Sequence, residues 1–317
     1  MMIQRPNLAF LFPGQGSQSI GMLAALADRH ALVQKTFIEA SAAMGTDLWQ
    51  LIQAGPESQL NRTDYTQPAM LTAGVAVWRA WREGGGPMPG WMAGHSLGEY
   101  TALVAAGALD FAEAVALVRD RGRYMQEAVA EGEGAIAAVL GLDDSAVEAV
   151  CEQAAEGQCV EPVNYNAPNQ VVIAGHQAAV ERALVAAKEA GAKRAVPLPM
   201  SVPAHCSLMA PAADRLAERL AGVAINPPEI PIVHNVDVSR SADPATIRER
   251  LVAQVRSPVR WVGCVQRLQA EGISECIECG PGKVLAGLNR RIDRQLTTRP
   301  IDDPDSLAEG LNAMEER

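Results

Sequence analysis

One serine in the sequence stands between glycines two residues away on either side, in the segment GHSLG at residues 94–98. A short apolar run precedes this segment, and the helical pattern TALVAAGAL follows it. A nucleophile elbow needs this order of strand, sharp turn and helix. The glycines let strand and helix approach closely while the serine adopts a strained backbone conformation. The context therefore favours a nucleophilic Ser96 over an ordinary glycine-flanked turn.

A nucleophilic serine needs a base, and histidine is the usual one near neutral pH. The chain has 5 histidines. His205 follows a proline-rich segment and precedes a predicted helix, where its side chain can face a cleft, whereas the side chain of His95 should point away from its neighbour Ser96. Elimination makes His205 the best candidate and leaves the other histidines open. The acid of an ordinary hydrolase triad, between serine and histidine in chain order, is not identifiable.

An arginine falls on the apolar side of a predicted helix over residues 110–127. At 100° per residue, Arg121 lies within the apolar stripe of this helix. The apolar members of the stripe are Phe111, Ala114, Leu117, Val118 and Met125. A buried guanidinium needs a partner. The partner is either an internal carboxylate or the carboxylate of a ligand, for which the geometry of arginine is suited.

Two glycine loops and a cysteine pair point to no nucleotide or metal site. GQGSQ at 14–18 fails as a dinucleotide fingerprint, and GPGK at 280–283 fails as a phosphate loop. The first loop can instead offer a backbone N–H to an oxyanion, or it simply connects strand and helix. Cys276 and Cys279 lie three apart in a predicted strand, so they should face opposite sides and act as structural residues.

Composition and charge narrow the class of protein. The chain has 317 residues, of which 48% are hydrophobic and 20% charged, as is usual for soluble globular proteins. No apolar run approaches the length of a membrane span, so a cytoplasmic location is the default expectation. The net charge of -10 argues against a nucleic-acid binder that works by broad phosphate neutralisation.

Hydrophobic patterning predicts an α/β protein. The run LAFLF at 8–12 suits a strand buried on both faces of a parallel sheet. A strand, a glycine turn and a helix then recur near Ser96 and near the C-terminus. Between 130 and 200, strand, helix, strand, helix and strand follow one another, which suggests a ferredoxin-like lobe. We predict a catalytic core of residues 1–129 and 201–317, with residues 130–200 inserted.

Taken together, the motifs resemble the malonyl-CoA:acyl carrier protein transacylases over nearly the whole chain. The matching segments, in order, are FPGQGSQ, TQPA, GHSLGEY, RGRYMQEA, NYNAPNQVVIAG, SVPAH, NVD and GPGKVL. The resemblance implies an α/β-hydrolase-like core with a mostly parallel sheet and an inserted ferredoxin-like α+β subdomain.

The resemblance also implies roles for individual residues. It makes Ser96 the nucleophile and His205 its base, with the main-chain carbonyl of Gln254 in place of the missing triad acid. The implied substrate-binding residues are Gln15 and Leu97 through their backbone N–H groups, Arg121 on the malonyl carboxylate, Met125 in the acyl pocket, and Gln67 and Asn166 near the site. Ala204 departs from the pattern, because relatives often carry a bulkier residue or serine there, and this bears on acyl selectivity.

The implied activity is transfer of a malonyl group from malonyl-CoA to the phosphopantetheine thiol of acyl carrier protein, through a malonyl-serine, for fatty acid synthesis. We expect no metal or redox cofactor, no nucleic-acid or membrane partner, and a monomer. The alternatives are a serine esterase or thioesterase, an acyltransferase of a polyketide pathway, and an acyl-CoA-binding protein without activity.

The implied carrier protein is usually acidic, so an acidic chain must recognise it through a local basic patch. Two clusters are candidates, and each is equally well explained as solvated helix ends and turns. The first cluster consists of Lys283, Arg290, Arg291 and Arg294, and the second of Lys188, Lys193 and Arg194.

Overall fold

The computed structural model describes residues 4–200 and 202–315, in which nine strands form two sheets. Ser201 of the SVPAH segment therefore lies outside the described residues. The strands are β1 (Gln4–Phe12), β2 (Met88–Gly94), β3 (Gly134–Leu140), β4 (Val160–Ala167), β5 (Gln170–His176), β6 (Arg194–Pro197), β7 (Ile232–Val233), β8 (Glu275–Cys279) and β9 (Thr297–Ile301).

Helices connect and cover these strands, and a 3-10 turn at Ser207–Met209 precedes one of them. The helices of the described residues are α1 (Ala24–Arg29), α2 (Ala31–Met44), α3 (Leu48–Ala54), α4 (Glu57–Leu60), α5 (Thr63–Glu83), α6 (Gly98–Ala105), α7 (Phe111–Glu127), α8 (Asp144–Ala155), α9 (Gln177–Glu189), α10 (Ala210–Ala221), α11 (Pro244–Val255), α12 (Trp261–Ala270), α13 (Val284–Ile292) and α14 (Pro304–Glu315). Within this part of the chain, no helix combines the length and apolarity that crossing a membrane requires.

The first sheet is parallel and is buried on both faces. Its strands lie in the order β7-β2-β1-β8-β9. Along β1, Phe10 and Phe12 belong to the core on one face, while Ala9 and Leu11 belong to the core on the other face. The continuous apolar run at the start of the sequence follows from this double burial, since successive side chains alternate between two apolar layers.

The second sheet is antiparallel, with strand order β4-β5-β3-β6. Helices α8 and α9 pack on it through a separate hydrophobic core. The chain order β-α-β-β-α-β is ferredoxin-like, and the α/β class with its second sheet is confirmed. The sequence pattern gave three strands here, whereas the structure has four. Strand β4 escaped the pattern because VEPVNYNA contains Pro162 and has no regular apolar alternation.

The backbone of β4 also bonds a segment outside the second sheet, the connection between α11 and α12. Tyr165 donates its N–H to the carbonyl of Val259 at 3.0 Å, and Val259 donates to the carbonyl of Val163 at 2.9 Å. All four strands of the second sheet fall inside the predicted insert of residues 130–200. The boundaries of that insert stay a prediction.

The cysteine pair of β8 is arranged as the strand period predicts. Cys276 lies in the core on one face of the parallel sheet, and Cys279 lies in the core on the other face. Both are free thiols. They are therefore packing residues of two different layers and not a chelating pair.

Candidate active site

The carboxyl ends of three neighbouring parallel strands bring the candidate residues to one edge of the first sheet. Strand β2 lies between β7 and β1. The loop after β2 carries Ser96, the loop after β1 carries Gln15, and the loop after β7 carries Asn235. Segments distant in the sequence therefore converge at the edge where open α/β sheets bind ligands.

Ser96 lies on the sharp turn that the sequence predicts. Its φ is 52°, in the left-handed region that non-glycine residues rarely adopt. A Cβ added to Gly94 would lie 1.9 Å from the carbonyl carbon of Gly98, and one added to Gly98 would lie 2.0 Å from the carbonyl oxygen of Phe12. Both glycines are therefore required by the close approach of strand and helix, and GHSLG forms an elbow.

The hydroxyl of Ser96 meets the imidazole of His205. The distance from Oγ to Nε2 is 2.7 Å. On the other side of the ring, Nδ1 lies 2.7 Å from the main-chain carbonyl oxygen of Gln254. Since that carbonyl can only accept, Nδ1 carries the proton and Nε2 is left to accept from the serine. This is the arrangement of a serine activated by a general base.

The C-terminus of α11 explains why a carbonyl can replace a carboxylate here. The last four carbonyls of a helix have no intrahelical partner. Gln254 O accepts from the His205 ring, and Val255 O accepts from the His205 backbone N–H at 3.0 Å. The negative end of the helix dipole also favours the imidazolium that forms during proton transfer.

Burial keeps His205 neutral. The residue is 3% exposed, and desolvation, with the nearby Arg121 cation as the second cause, lowers the pKa of His205 from 6.5 to about 3. The hydrogen bond to the carbonyl of Gln254 opposes this shift and is outweighed. At neutral pH the imidazole is therefore in the form that can accept a proton.

Two backbone N–H groups next to the serine are arranged as oxyanion donors. Leu97 lies at the N-terminus of α6, where backbone N–H groups lack intrahelical partners. The loop that carries Gln15 is close by, because a Cβ added to Gly14 would lie 2.6 Å from the carbonyl oxygen of His95. No hydrogen bond within residues 4–200 and 202–315 engages the N–H of Gln15 or of Leu97. Both donors are therefore available to a substrate oxyanion.

Arg121 is buried as its helical position predicts, and side-chain amides hold it. It is 1% exposed on the inner face of α7. Its Nη1 donates to Oε1 of Gln67 at 2.8 Å, and its Nη2 donates to Oε1 of Gln254 at 3.0 Å. Nη2 also lies 3.4 Å from Oγ of Ser96. The cation is thus fixed beside the hydroxyl of Ser96.

No carboxylate of the described residues forms an ion pair with Arg121, and its Nε–H has no partner among them. The guanidinium lies over the ring of Tyr100, with 5.4 Å between Cζ and the ring centroid. Burial lowers the pKa of Arg121 from 12.5, but an arginine remains charged at neutral pH. The sequence left two partners open for Arg121, an internal carboxylate and the carboxylate of a ligand. The internal carboxylate is excluded for the described residues. The charge is free to bind an anion.

Met125 borders a cavity, and the buried Gln67 contacts Met125 from inside the site. The amide nitrogen of Gln67 lies 3.5 Å from the sulfur of Met125, so one amide contacts both the thioether and Arg121. A cavity of about 430 Å³ is lined by Met125, Gln15, Arg62, Met200 and Pro203, and the last two lie in the segment that leads to His205. Two of the predicted substrate-binding residues, Met125 and Gln15, therefore border one cavity.

Asn166 is placed one step further from the nucleophile. Its Oδ1 lies 2.8 Å from Nε2 of His95, and no hydrogen bond within the described residues joins it to Ser96. Desolvation lowers the pKa of His95 from 6.5, so this ring is also neutral. The pair connects the second sheet to the elbow loop, and it supports the site from outside.

Two buried residues of the site did not emerge from the sequence. Asn235 accepts the backbone N–H of Ser96 at 2.7 Å, and Glu99 is 1% exposed in the first turn of α6. Glu99 lies between the serine and the histidine in chain order, yet its carboxylate bonds other groups and not His205. The sequence signal that could have identified Glu99 is an acidic residue in the first turn of an otherwise mostly apolar helix.

Comparison with known proteins gives a consistent result over almost the whole chain. A family model described as an acyl transferase domain matches residues 9–295. The malonyl CoA-acyl carrier protein transacylase of Escherichia coli (strain K12) is 56% identical over 305 residues, which are 96% of this chain and 99% of that protein. The protein of the same name from Bacillus subtilis (strain 168) is 45% identical over 98% of both chains.

Solved structures agree with these relatives. A malonyl-CoA:acyl carrier protein transacylase from Xanthomonas oryzae matches with a TM-score of 0.97 and 53% identity, over 98% of this chain and 99% of that one. A malonyl-transacylase in complex with its type II polyketide acyl carrier protein matches with a TM-score of 0.96 and 52% identity, over 97% and 99% of the two chains.

Proposed function

The chain belongs to the acyl transferase domain family, and we propose that it transfers the malonyl group of malonyl-CoA to the phosphopantetheine thiol of acyl carrier protein. One observation carries the choice of acyl group. A buried, unpaired guanidinium, that of Arg121, lies 3.4 Å from the nucleophilic hydroxyl of Ser96.

Because a malonyl group is short, the distance between Arg121 and the Ser96 hydroxyl indicates whether the arginine can bind its carboxylate. Its carboxylate is separated from the thioester carbonyl by a single methylene carbon. A cation that binds the carboxylate must therefore lie within a few ångströms of the hydroxyl that attacks the carbonyl. Arg121 meets this condition, and its unpartnered Nε–H is available to the acid. An acetyl group offers no charge to this guanidinium.

The first half-reaction forms a malonyl-serine. His205 Nε2 accepts the proton of Ser96 as Oγ attacks the thioester carbonyl, and the N–H groups of Gln15 and Leu97 stabilise the oxyanion. Each such donor contributes roughly 2.7–4 kcal/mol to transition-state stabilisation. The carbon–sulfur bond then breaks, and the proton passes from His205 to the departing sulfur of CoA. Arg121 holds the carboxylate throughout.

The second half-reaction reverses the roles of the groups. The phosphopantetheine thiol gives its proton to His205 and attacks the ester carbonyl. The bond from the carbonyl carbon to Ser96 Oγ breaks, and the serine recovers its proton from His205. No electron is gained or lost, so the reaction requires no redox cofactor. The residues named above supply every proton transfer and charge contact, and we propose that no metal takes part either. All groups of the mechanism come from one chain, which supports a monomer as the working form.

We propose fatty acid synthesis as the pathway that this reaction supplies, in accord with the family resemblance of the motifs. A polyketide pathway is the second candidate, because one solved neighbour is bound to a type II polyketide carrier protein. Rates of malonyl transfer to carrier proteins of the two kinds distinguish them. A faster transfer to the polyketide carrier contradicts our choice.

The direct test of the transferase reaction is the mass of the intact chain after mixing with malonyl-CoA. We expect a malonyl adduct on Ser96 that persists without carrier protein and disappears when the carrier protein is added. The matched control is Ser96→Ala, which lacks the hydroxyl and should carry no adduct, with its thermal unfolding measured to verify that it is folded.

The rival functions give other results in the same experiment. An esterase or thioesterase releases free malonate with rapid turnover and accumulates no adduct. A binding protein gives neither adduct nor turnover. Either result would overturn the transferase assignment, because the assignment requires a malonyl-serine that the carrier protein discharges.

The role of Arg121 is tested by the acyl preference of its variants. We expect Arg121→Ala to lower malonyl loading by roughly 30-fold or more, since loss of one partner from a buried charge pair costs about 2–5 kcal/mol. Acetyl loading should be spared or improved. Arg121→Lys, which keeps the charge but not the planar fork, should fall between the two. An unchanged malonyl-to-acetyl ratio in Arg121→Ala would remove Arg121 from this role.

A further inference from the structure

A buried carboxylate that takes no part in the mechanism above lies beneath the active site. Glu99 is 1% exposed, and its two oxygens meet three partners. Oε1 lies 2.7 Å from Nδ1 of His234, while Oε2 accepts from the backbone N–H of Asn235 at 3.1 Å and from the side-chain nitrogen of Gln254 at 2.7 Å. A carboxylate in this setting is costly to bury unless such donors surround it.

One branch of this network reaches the nucleophile. Asn235, whose N–H is held by Glu99, accepts the backbone N–H of Ser96 through Oδ1 at 2.7 Å and donates Nδ2 to the carbonyl of Gly94, also at 2.7 Å. The asparagine therefore clamps both sides of the elbow. Left-handed backbone at a residue such as Ser96 costs of order 1–3 kcal/mol and persists only where surrounding bonds enforce it.

The other branch reaches the cation. The amide of Gln254 donates its nitrogen to Glu99 and presents its oxygen to Nη2 of Arg121 at 3.0 Å. The same nitrogen also donates to the main-chain carbonyl of Ser96 at 3.1 Å. Since a carboxylate and a carbonyl only accept, Glu99 and this carbonyl together decide which end of the amide faces the guanidinium, with Glu99 making the shorter bond. A reversed amide would set an NH₂ group against the guanidinium donors. Glu99 thereby contributes to the position of Arg121 through Gln254, without forming an ion pair with it.

We propose that Glu99 is a positioning residue that holds the nucleophile and the acyl-binding cation in one geometry, through Asn235 on one branch and Gln254 on the other. The proposal rests on the proposed function, because the cation matters only if the substrate is a dicarboxylic acyl group. The proposal depends on which groups of the network donate hydrogen bonds and which accept them. A residue that keeps an acceptor toward Gln254 and Asn235 preserves the selectivity, and one that does not loses it.

Glu99→Gln is the conservative variant. Its amide oxygen can accept from Gln254 and Asn235, and its NH₂ group can donate to Nδ1 of His234. That last bond requires the other imidazole tautomer, which the site permits because Nε2 of His234 has no partner among the described residues. Glu99→Met has a similar length and no comparable acceptor. Glu99→Asp keeps the carboxylate but withdraws it by one methylene.

The experiment measures the rate at which malonyl-CoA and acetyl-CoA load Ser96 in each variant. In Glu99→Met we expect the malonyl-to-acetyl ratio to fall at least tenfold and both rates to drop. In Glu99→Gln the ratio should stay within about threefold of the natural chain. Asn235→Ala should lower both rates by the same factor and leave the ratio unchanged, because it severs only the branch to the nucleophile.

The outcomes separate this proposal from the proposed function. Absence of a malonyl adduct in the natural chain refutes the function itself. If the natural chain loads, then a Glu99→Met ratio within threefold of its value, or a Glu99→Gln ratio as low as that of Glu99→Met, overturns the positioning role. If Glu99→Met does not fold, as judged by its thermal unfolding, Glu99→Asp takes its place with an expected loss of at least fivefold in the ratio.

Discussion

Some of the groups around Ser96 can be predicted from the sequence, and others cannot. The elbow is predictable because close packing demands glycine at two positions, and Arg121 is predictable because helical periodicity puts a charge among apolar residues. The role of Gln254 is not predictable from residue type, since the group that orients His205 is a main-chain carbonyl. Every residue has such a carbonyl, so only its position at a helix end makes it useful.

Hydrogen-bond networks are the second feature that residue types do not reveal. Asn235 lies within NVD, one of the segments that carry the family resemblance. The sequence of that segment does not show that the Asn235 side chain bonds both sides of the elbow. Glu99 is visible as an acidic residue in a mostly apolar helix, yet its partners come from the loop after β7 and from α11, more than a hundred residues away. Tertiary contacts of this kind require the fold.

The buried state of His205 predicts an acid-sensitive stability. Its pKa is about 3 in the folded chain against an ordinary 6.5, so below pH 6.5 the unfolded chain binds a proton that the folded chain does not. The folded state therefore loses stability as the pH falls through 6.5. At pH 5 this amounts to about 2 kcal/mol.

Urea unfolding of the natural chain and of His205→Asn at pH 7.5 and pH 5.0 checks this value. Asparagine can still donate to the carbonyl of Gln254 but does not titrate. We expect the natural chain to lose about 2 kcal/mol more than the variant between the two pH values. An equal loss in both would show that His205 is not held neutral by burial.

At the scale of elements, the site is built from helix ends and from one helix–helix contact. The N-terminus of α6 supplies the N–H of Leu97, and the C-terminus of α11 supplies the carbonyls that hold His205. Helices α5 and α7 contribute Gln67 and Arg121, which meet at 2.8 Å. The sequence predicts α7 to within a residue, because its amphipathic pattern is long, but it does not predict which helix packs against it.

The contact of α5 and α7 depends on Gly122. A Cβ added there would lie 2.6 Å from the carbonyl oxygen of Thr63, at the first residue of α5. We expect Gly122→Ala to push the helices apart and to destabilise the chain by about 1–3 kcal/mol. The ratio of malonyl to acetyl loading should fall as well, because the bond between Gln67 and Arg121 lengthens. Denaturant unfolding and the loading ratio measure both effects.

Gly287 provides the matched control for that substitution. It lies inside α13, and a Cβ added there would meet nothing within 4 Å. Gly287→Ala should therefore be neutral or stabilise the chain by up to about 1 kcal/mol through helix propensity. If both alanine variants behaved alike, the close approach at Gly122 would not be what positions Arg121.

For the whole molecule, charge is the property that connects the site to its protein partner. The chain has a net charge of -10, so attraction of an acidic carrier protein must come from a local basic surface. Arg290, Arg291 and Arg294 line a groove of about 510 Å³ together with Gly287. Arg291 also donates to Oε1 of Gln170 at 2.7 Å, which places this groove where α13 meets the second sheet.

Of the two basic clusters in the sequence, this groove is the better candidate for docking. The side chains of both clusters are exposed, and none of them forms an ion pair with a carboxylate in residues 4–200 and 202–315. What favours the first cluster is that its three arginines line one groove together. We expect the double variant Arg290→Glu/Arg294→Glu to raise the KM for the carrier protein at least tenfold, because like charges then face each other across the encounter surface. Loading of Ser96 by malonyl-CoA should not change, since that half-reaction needs no carrier.

The second basic cluster, that of Lys188, Lys193 and Arg194, provides the control variant for this docking prediction. Lys188→Glu/Lys193→Glu changes the net charge by the same amount, so a general loss of attraction would affect both double variants equally. We expect this variant to raise the KM for the carrier protein less than threefold, and added salt to diminish the difference between the two variants because exposed charges are screened. A larger effect at Lys188 and Lys193 would instead place the carrier protein at the end of α9 and the turn that leads into β6. Equal effects would show that recognition depends on net charge alone.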